Sequence, residues 1–365
     1  MKLGVAAAVV DGVLVPGDVE LSDGRISGVG LAAPNGSGIA VPGFVDLQVN
    51  GFGGIDFLEA DAGGFRRAGD ALLETGVTAY LPTLITSPEE QLLAAMQEIP
   101  ADGSGPRALG VHLEGPFLSP QRLGTHVASW RRDPDPALLE RLLDGGPVRL
   151  MTLAPELPGA DELIDTLIAR GVRVSLGHSD ATAAQANEAF DRGARTVTHL
   201  FNAMRPFRHR DPGIVGAALA RDDVLVQIIL DGIHLAPETA QVVWRAAAGR
   251  VALVTDAITG APLGDGSFSF GELDVSVHDG TVRGPDGVLA GSVLTMIDAV
   301  RNLHALGASF VDAVAAATSV PAAVLGRADV GRLAPGLPAD VVVLDDRLEI
   351  VSVLCAGEPD VVARG

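Results

Sequence analysis

The chain has 365 residues, 47% of them hydrophobic and 20% charged, the profile of a folded protein with a sizeable core and not of a disordered one. Its 26 Lys and Arg stand against 46 Asp and Glu, a formal charge of −20, which argues against nucleic acid or an anionic membrane surface as a partner and requires any anionic ligand to find a local basic site. Cys355 is the only cysteine, which excludes an intrachain disulfide and fits a reducing compartment, so a cytoplasmic location is expected.

The opening run, MKLGVAAAVVDG, carries one Lys and loses its apolar character at Asp11, so it reads as a strand and not as a secretory leader. Residues 1–41 continue as short β-type runs broken by Gly12, Pro16-Gly17-Asp18 and Asp23-Gly24. Eight aliphatic runs follow, at 44–50, 78–83, 108–114, 148–154, 172–177, 195–199, 225–231 and 251–256, which is the number of strands in a closed parallel barrel. Helical patterns fill the gaps, among them 61–76, 161–171, 180–193 and 237–249; several start at Asp, Ser or Pro and stop at Gly. By that rule Asp180 is a helix cap.

Residues 260–290 turn Gly-rich with short β pieces, an insertion expected to join an accessory sheet, and helices resume at 293–306 and 309–318. The segment from Gly331 onward has the turn-and-strand character of the first 41 residues. The expected fold is α/β: a (β/α)₈ TIM barrel over 42–330, with a small β-sandwich domain formed from both chain ends, 1–41 and 331–365. No uncharged apolar stretch reaches the roughly 20 residues of a membrane-spanning helix, so a soluble protein is expected.

Polar residues close four of the apolar runs: Glu114 ends ALGVHLE, His178 ends VRVSLGH, His199 ends ARTVTH and Asp256 ends VALVTD. In a parallel barrel the C-terminal ends of the strands converge on one face, where distant segments can build one site. The 21-residue step from His178 to His199 and the 22-residue step from His234 to Asp256 each match one βα unit. Two imidazoles and a carboxylate suit Zn²⁺ foremost and Fe²⁺ second, and three protein ligands with one open position is the catalytic pattern. Such an ion lowers the pKa of a coordinated water from 15.7 toward about 7, leaving Asp256 as the proton shuttle.

Gln48 and Asn50 stand two apart on the first strand and share a face at the barrel mouth. Neutral amides are poor ligands for transition metals, so one tightly held divalent ion per subunit is expected and not a bridged pair. The segment Arg205-Pro206-Phe207-Arg208-His209-Arg210 concentrates cations in an acidic chain. It reads either as an anion site, because guanidinium forks bind phosphate bidentately, or as a solvated loop.

The segments PGFVDLQVNGFGG (42–54), HLEGPFLSP (112–120), GTH (124–126), APE (154–156), GHSDAT (177–182), THLFNAM (198–204), DGIH (231–234), VTDA (254–257) and LAGSVLTM (289–296), in this order and spacing, resemble the N-acetylglucosamine-6-phosphate deacetylases of the amidohydrolase superfamily along essentially the whole chain. The resemblance implies that Glu114, His178 and His199 bind the metal and that Asp256 acts as base and then acid. It further implies substrate contacts from Thr125, His126, Asn202, Ala203, Arg210 and His234, and from the backbone of Leu289, Ala290 and Gly291. Arg210 matches the family's phosphate-binding Arg, and members are typically homodimers in which residues near the phosphate can come from the neighbouring subunit. Relatives with His-x-His in place of Gln48-Val49-Asn50 can hold two metals, and this chain looks like the one-metal branch. A phosphorylated N-acetyl amino sugar is therefore the expected partner. The rivals are deacetylation of the N-acetylgalactosamine epimer, cyclic-amide hydrolysis, disfavoured by the missing first-strand His-x-His, and a non-catalytic barrel kept as a scaffold.

Overall fold

The computed structural model describes residues 1–33, 35–100 and 105–356, together with the backbone of 358–362. The eight aliphatic runs become β1 (Phe44–Val49), β2 (Val77–Ile85), β3 (Val111–Glu114), β4 (Val148–Leu153), β5 (Arg173–Leu176), β6 (Thr196–Val197), β7 (Leu225–Ile228) and β8 (Val251–Leu253). They are hydrogen-bonded in that order, each parallel to the next. Every residue of β1 and β2 is buried, as it must be where helices cover the outer face of a parallel sheet and side chains fill the inner one.

The barrel closes beyond the ends of its regular strands. Val49 and Ala257 form a parallel bridge, Asp256 N–H donates to Gln48 O at 2.9 Å, and Asn50 N–H donates to Ala257 O at 2.8 Å. Beneath the seam, buried Asp46 accepts the Thr255 hydroxyl at 2.6 Å, and burial pushes its carboxyl up to about 7. The interior is partly polar: His112 Nε2 lies 2.7 Å from Thr152 Oγ1, which lies 2.7 Å from Thr198 Oγ1, itself 2.6 Å from Ser175 Oγ. Each of these groups is buried but partnered, which avoids the roughly 1–3 kcal/mol cost of an orphaned polar atom.

Local caps set the helix starts. Asp61 Oδ1 accepts from Gly64 N–H at 2.6 Å, and Asp135 Oδ1 accepts from Ala137 and Leu138 N–H. The helix expected over 180–193 spans Ala183–Arg192 and is capped by a Thr182–Gln185 capping box, so Asp180 is not its cap.

Both chain ends meet in one six-stranded sheet, ordered Val13–Pro16, Ala7–Val10, Ile39–Pro42, Val341–Leu344, Ile350–Cys355, Glu358–Val362. The join is the antiparallel pairing of Ile39–Pro42 with Val341–Leu344. A hairpin of Asp18–Ser22 and Arg25–Leu31 packs Val19, Leu21 and Ile26 against Ala8, Ala40, Val341 and Val343 of this sheet, a second core apart from the barrel's.

The insertion does not join that sheet, contrary to expectation. Gly266–Phe270, Leu273–His278 and Thr281–Arg283 form their own three-stranded antiparallel sheet. The reason is positional: Ile39–Pro42 runs into the N-terminal end of β1, whereas the insertion leaves from the C-terminal end of β8. It is fastened there by Thr259 Oγ1 donating to Ser269 O and Gly271 N–H donating to buried Asp56 Oδ2, both at 2.6 Å. Among the described residues no helix is long and apolar enough to cross a membrane.

Candidate metal centre

Glu114 is the last residue of β3, but His178 and His199 lie two residues beyond β5 and β6, and Asp256 three beyond β8. These three, expected at strand termini, adopt left-handed backbone conformations with φ of 46°, 26° and 50°. Each costs about 1–3 kcal/mol and persists only where its surroundings over-determine it. One such surrounding is Gly291, whose φ is 67°: an added Cβ would lie 2.8 Å from the Asp256 carbonyl oxygen and 2.6 Å from Ile258. The turns carry the side chains off the strands and over the barrel mouth.

There, His178 Nε2 lies 3.1 Å and His199 Nε2 2.9 Å from Glu114 Oε1, and the two nitrogens are 3.1 Å apart. For ligand bonds of 2.0–2.1 Å at tetrahedral angles, ligand atoms stand about 3.3 Å apart, so the triangle fits one face of a tetrahedral ion with the fourth position open. His178 Nδ1–H donates to the Arg122 carbonyl at 3.0 Å, which leaves the Nε2 lone pair of the neutral ring pointing into the triangle. Burial opposes ionisation of Glu114, but the His178 and His199 imidazoles against its Oε1 outweigh it and hold the carboxyl well below the usual range.

Asp256 is 8% exposed, and its Oδ1 accepts from Asn50 Nδ2 at 2.7 Å and Gln48 Nε2 at 3.1 Å. Gln48 Nε2 also donates to Glu114 Oε1 at 3.1 Å. The two amides thus act as donors on one oxygen of Asp256, leaving Oδ2 for the pocket. Burial, then repulsion from Glu114, raises the Asp256 pKa, which brings a carboxylate toward the range of a general base at neutral pH.

His126 Nδ1 lies 2.9 Å from Thr86 Oγ1 and 3.3 Å from Thr86 N, and its Nε2 lies 3.8 Å from Glu114 Oε2. Burial lowers its pKa to about 3, so the ring stays neutral. His234 Nδ1–H donates to Asp231 Oδ2 at 2.7 Å.

One pocket of about 380 Å³ gathers Glu114, His178, His199 and Asp256 with Thr125, His126, Asn202, Ala203, His234, Leu289 and Gly291. Ala290 is fully buried and does not line it. Arg210 does not line it either: residues 206–210 are exposed, and Arg205 is engaged by Asp211 at 2.7 Å and Asp180 at 3.0 Å. Thr86 and the wall residues Ile85, Arg122, Ile229, Phe270 and Val288 are not singled out by the sequence reading. The second aliphatic run, read as 78–83, continues as β2 to Ile85, and only with that longer strand does Thr86 stand at a strand end as the other polar residues do.

A barrel of this topology with a carboxylate and two imidazoles at its C-terminal mouth defines a metal-dependent hydrolase. The amidohydrolase family model matches residues 39–363, and the chain belongs to that family. The chain is 42% identical over 325 residues to N-acetylglucosamine-6-phosphate deacetylase of Mus musculus, covering 84% of this chain and 79% of the mouse protein. It is 38% identical over 291 residues to N-acetylgalactosamine-6-phosphate deacetylase of Escherichia coli O157:H7, covering 78% and 77%. A mutant of N-acetyl-D-glucosamine-6-phosphate deacetylase from Mycobacterium smegmatis, solved in complex with N-acetyl-D-glucosamine-6-phosphate, superposes with a TM-score of 0.93 at 36% identity and 99% coverage of both chains.

Proposed function

We propose that the chain hydrolyses the N-acetyl amide of N-acetylglucosamine 6-phosphate to glucosamine 6-phosphate and acetate. The observation that carries this reading is the meeting, in one pocket, of the Glu114–His178–His199 triangle, a hydrogen-bonded Asp256 and the buried imidazole of His126. Glu114, His178 and His199 would hold one divalent ion, zinc fitting this donor set before iron, which would supply a water activated at neutral pH and polarise the acyl carbonyl. A single ion is favoured because Gln48 and Asn50 direct their amide N–H groups at Asp256 and Glu114.

Asp256 Oδ2 accepts the proton of the attacking water, and the carbonyl carbon becomes tetrahedral. His126 Nε2–H donates to the oxygen on which negative charge develops, a contribution typically worth about 10²–10³ in kcat. Asp256 then returns the proton to the nitrogen, the C–N bond breaks, and the amine leaves with acetate formed. Thr125, Asn202, Ala203, His234 and the Leu289–Gly291 segment contact the sugar. In a homodimer Arg210 reaches the 6-phosphate of the neighbouring subunit, which accounts for its position outside its own chain's pocket. The barrel of 42–330 carries this chemistry, residues 1–41 and 331–365 form the accessory unit, and the protein works in the cytoplasm.

Comparison of kcat/KM for the 6-phosphates of N-acetylglucosamine and N-acetylgalactosamine tests the substrate. The gluco epimer should be preferred, and equal or reversed values would transfer the assignment to the galactosamine reading. A scaffold would turn over neither.

Arg210→Ala should weaken binding of the phosphorylated sugar by about 2–5 kcal/mol, read as a raised KM, because a guanidinium–phosphate pair is charge-assisted and bidentate. Slow turnover of unphosphorylated N-acetylglucosamine should be almost unchanged. Equal damage to both substrates, measured on confirmed dimer, would make Arg210 structural.

A further inference from the structure

Asp180 caps no helix, yet it joins three segments around a candidate metal ligand. Its Oδ1 accepts from Arg122 Nε at 2.8 Å and lies 2.6 Å from Arg122 Nη2, while its Oδ2 accepts from Arg205 Nη1 at 3.0 Å. Its backbone is pinned as well: Asp180 N–H donates to Glu156 Oε1 at 2.7 Å, and the Ser179 hydroxyl donates to Glu156 Oε2 at 2.5 Å. The Asp180 side chain is 20% exposed and that of Arg122 30%, so the pair is shielded well beyond an ordinary surface ion pair.

Arg122 is the residue whose carbonyl accepts the Nδ1–H of His178. That contact selects the ring tautomer and sets the direction of Nε2, and losing such an outer-shell partner typically costs about 10–100-fold in metal affinity. The loop bearing the carbonyl, residues 119–126, also meets His178 through Ser119 N–H donating to His178 O at 2.9 Å and through the His126 ring, 4.4 Å from that of His178, but neither contact holds the Arg122 carbonyl itself. The salt link from Asp180 to the Arg122 guanidinium therefore holds the carbonyl in place from the far end of the same residue. Arg205, clamped in turn by Asp211, and Glu156 keep the Asp180 carboxylate from following Arg122 if that loop moves.

We propose that Asp180 is a positioning residue for the metal centre: through Arg122 it orients the carbonyl that aligns His178, and so raises the affinity of the triangle for its ion. This rests on the metal-centre reading above and adds to it a residue that touches neither ion nor substrate.

The test is the zinc dissociation constant of the full-length protein, stripped of metal and titrated in competition with a chromogenic chelator, alongside the melting temperature of the metal-free form. Asp180→Asn should bind zinc more weakly, by no more than the roughly 10–100-fold that loss of the outer-shell carbonyl itself would cost, with the metal-free melting temperature unchanged. Arg122→Met, which keeps the carbonyl and removes the guanidinium, should weaken zinc binding to the same degree, and it also decides the matter if Asp180→Asn fails to fold. The double variant should be no weaker than either single one, because both changes break one link. Wild-type zinc affinity in Arg122→Met, or single effects that add in the double variant, would overturn the proposal. A wild-type protein that binds no zinc would instead overturn the metal-centre reading beneath it.

Discussion

Asp256→Asn is expected to keep the fold and the bound metal but to lower kcat by about 10²–10⁴-fold, the usual contribution of a positioned general base. An amide has the carboxylate's shape and can still meet the Gln48 and Asn50 side chains, yet it cannot accept the proton of the attacking water. The loss should fall on kcat with little change in KM, since Asp256 acts on the reacting atoms and not on the phosphate or the sugar hydroxyls. Metal content by mass spectrometry, thermal melting and steady-state kinetics on one preparation check all three parts. Activity within about tenfold of wild type would remove Asp256 from the role of base.

Glu114→Ala and His199→Ala are expected to fail differently, by losing metal. Removing an outer-shell partner already costs about 10–100-fold in affinity, so removing a direct ligand should cost at least about 100-fold, with activity falling in parallel. Glu114 should be the more severe, because its Oε1 lies within 3.1 Å of both ring nitrogens and it supplies the only negative charge among the three ligands. Without it, two buried imidazoles 3.1 Å apart retain no anion to offset a divalent charge. Excess zinc should restore part of the activity in His199→Ala and less in Glu114→Ala. Wild-type metal content in both variants would place the ion elsewhere in the molecule.

These two predictions separate residues that look alike in the sequence, where Glu114 and Asp256 are both acids closing an aliphatic run. Their environments divide the work. Glu114 sits against two imidazoles that favour its ionised form, whereas Asp256 sits against Glu114 itself and two neutral amides, in burial that disfavours charge. Opposed shifts of two neighbouring carboxyl groups are how one site can hold a ligand and a base at the same pH.

The barrel and the kind of chemistry were legible in the linear chain for a local reason. An aliphatic run of five to seven residues followed by a helical pattern commits its own backbone to strand and helix, and the residue that ends each run must emerge at the same barrel face. Glu114, His178, His199 and Asp256 could therefore be set on one face from their place in those runs alone, and two imidazoles with a carboxylate already name a cation. What only the tertiary structure decided depends on contacts between residues far apart in the chain. Closure of β1 onto the segment after β8 brings Gln48 and Asn50 against Asp256, more than 200 positions away, and makes them donors to a base. Thr86 meets the Nδ1 of His126 across 40 positions. The left-handed turns at His178, His199 and Asp256, the separate sheet of the insertion, the exposed position of Arg210 and the engagement of Asp180 by two arginines are likewise invisible to periodicity. Periodicity reports which face of its own element a residue occupies, while hydrogen-bond partners and backbone strain are set by the register in which distant elements pack.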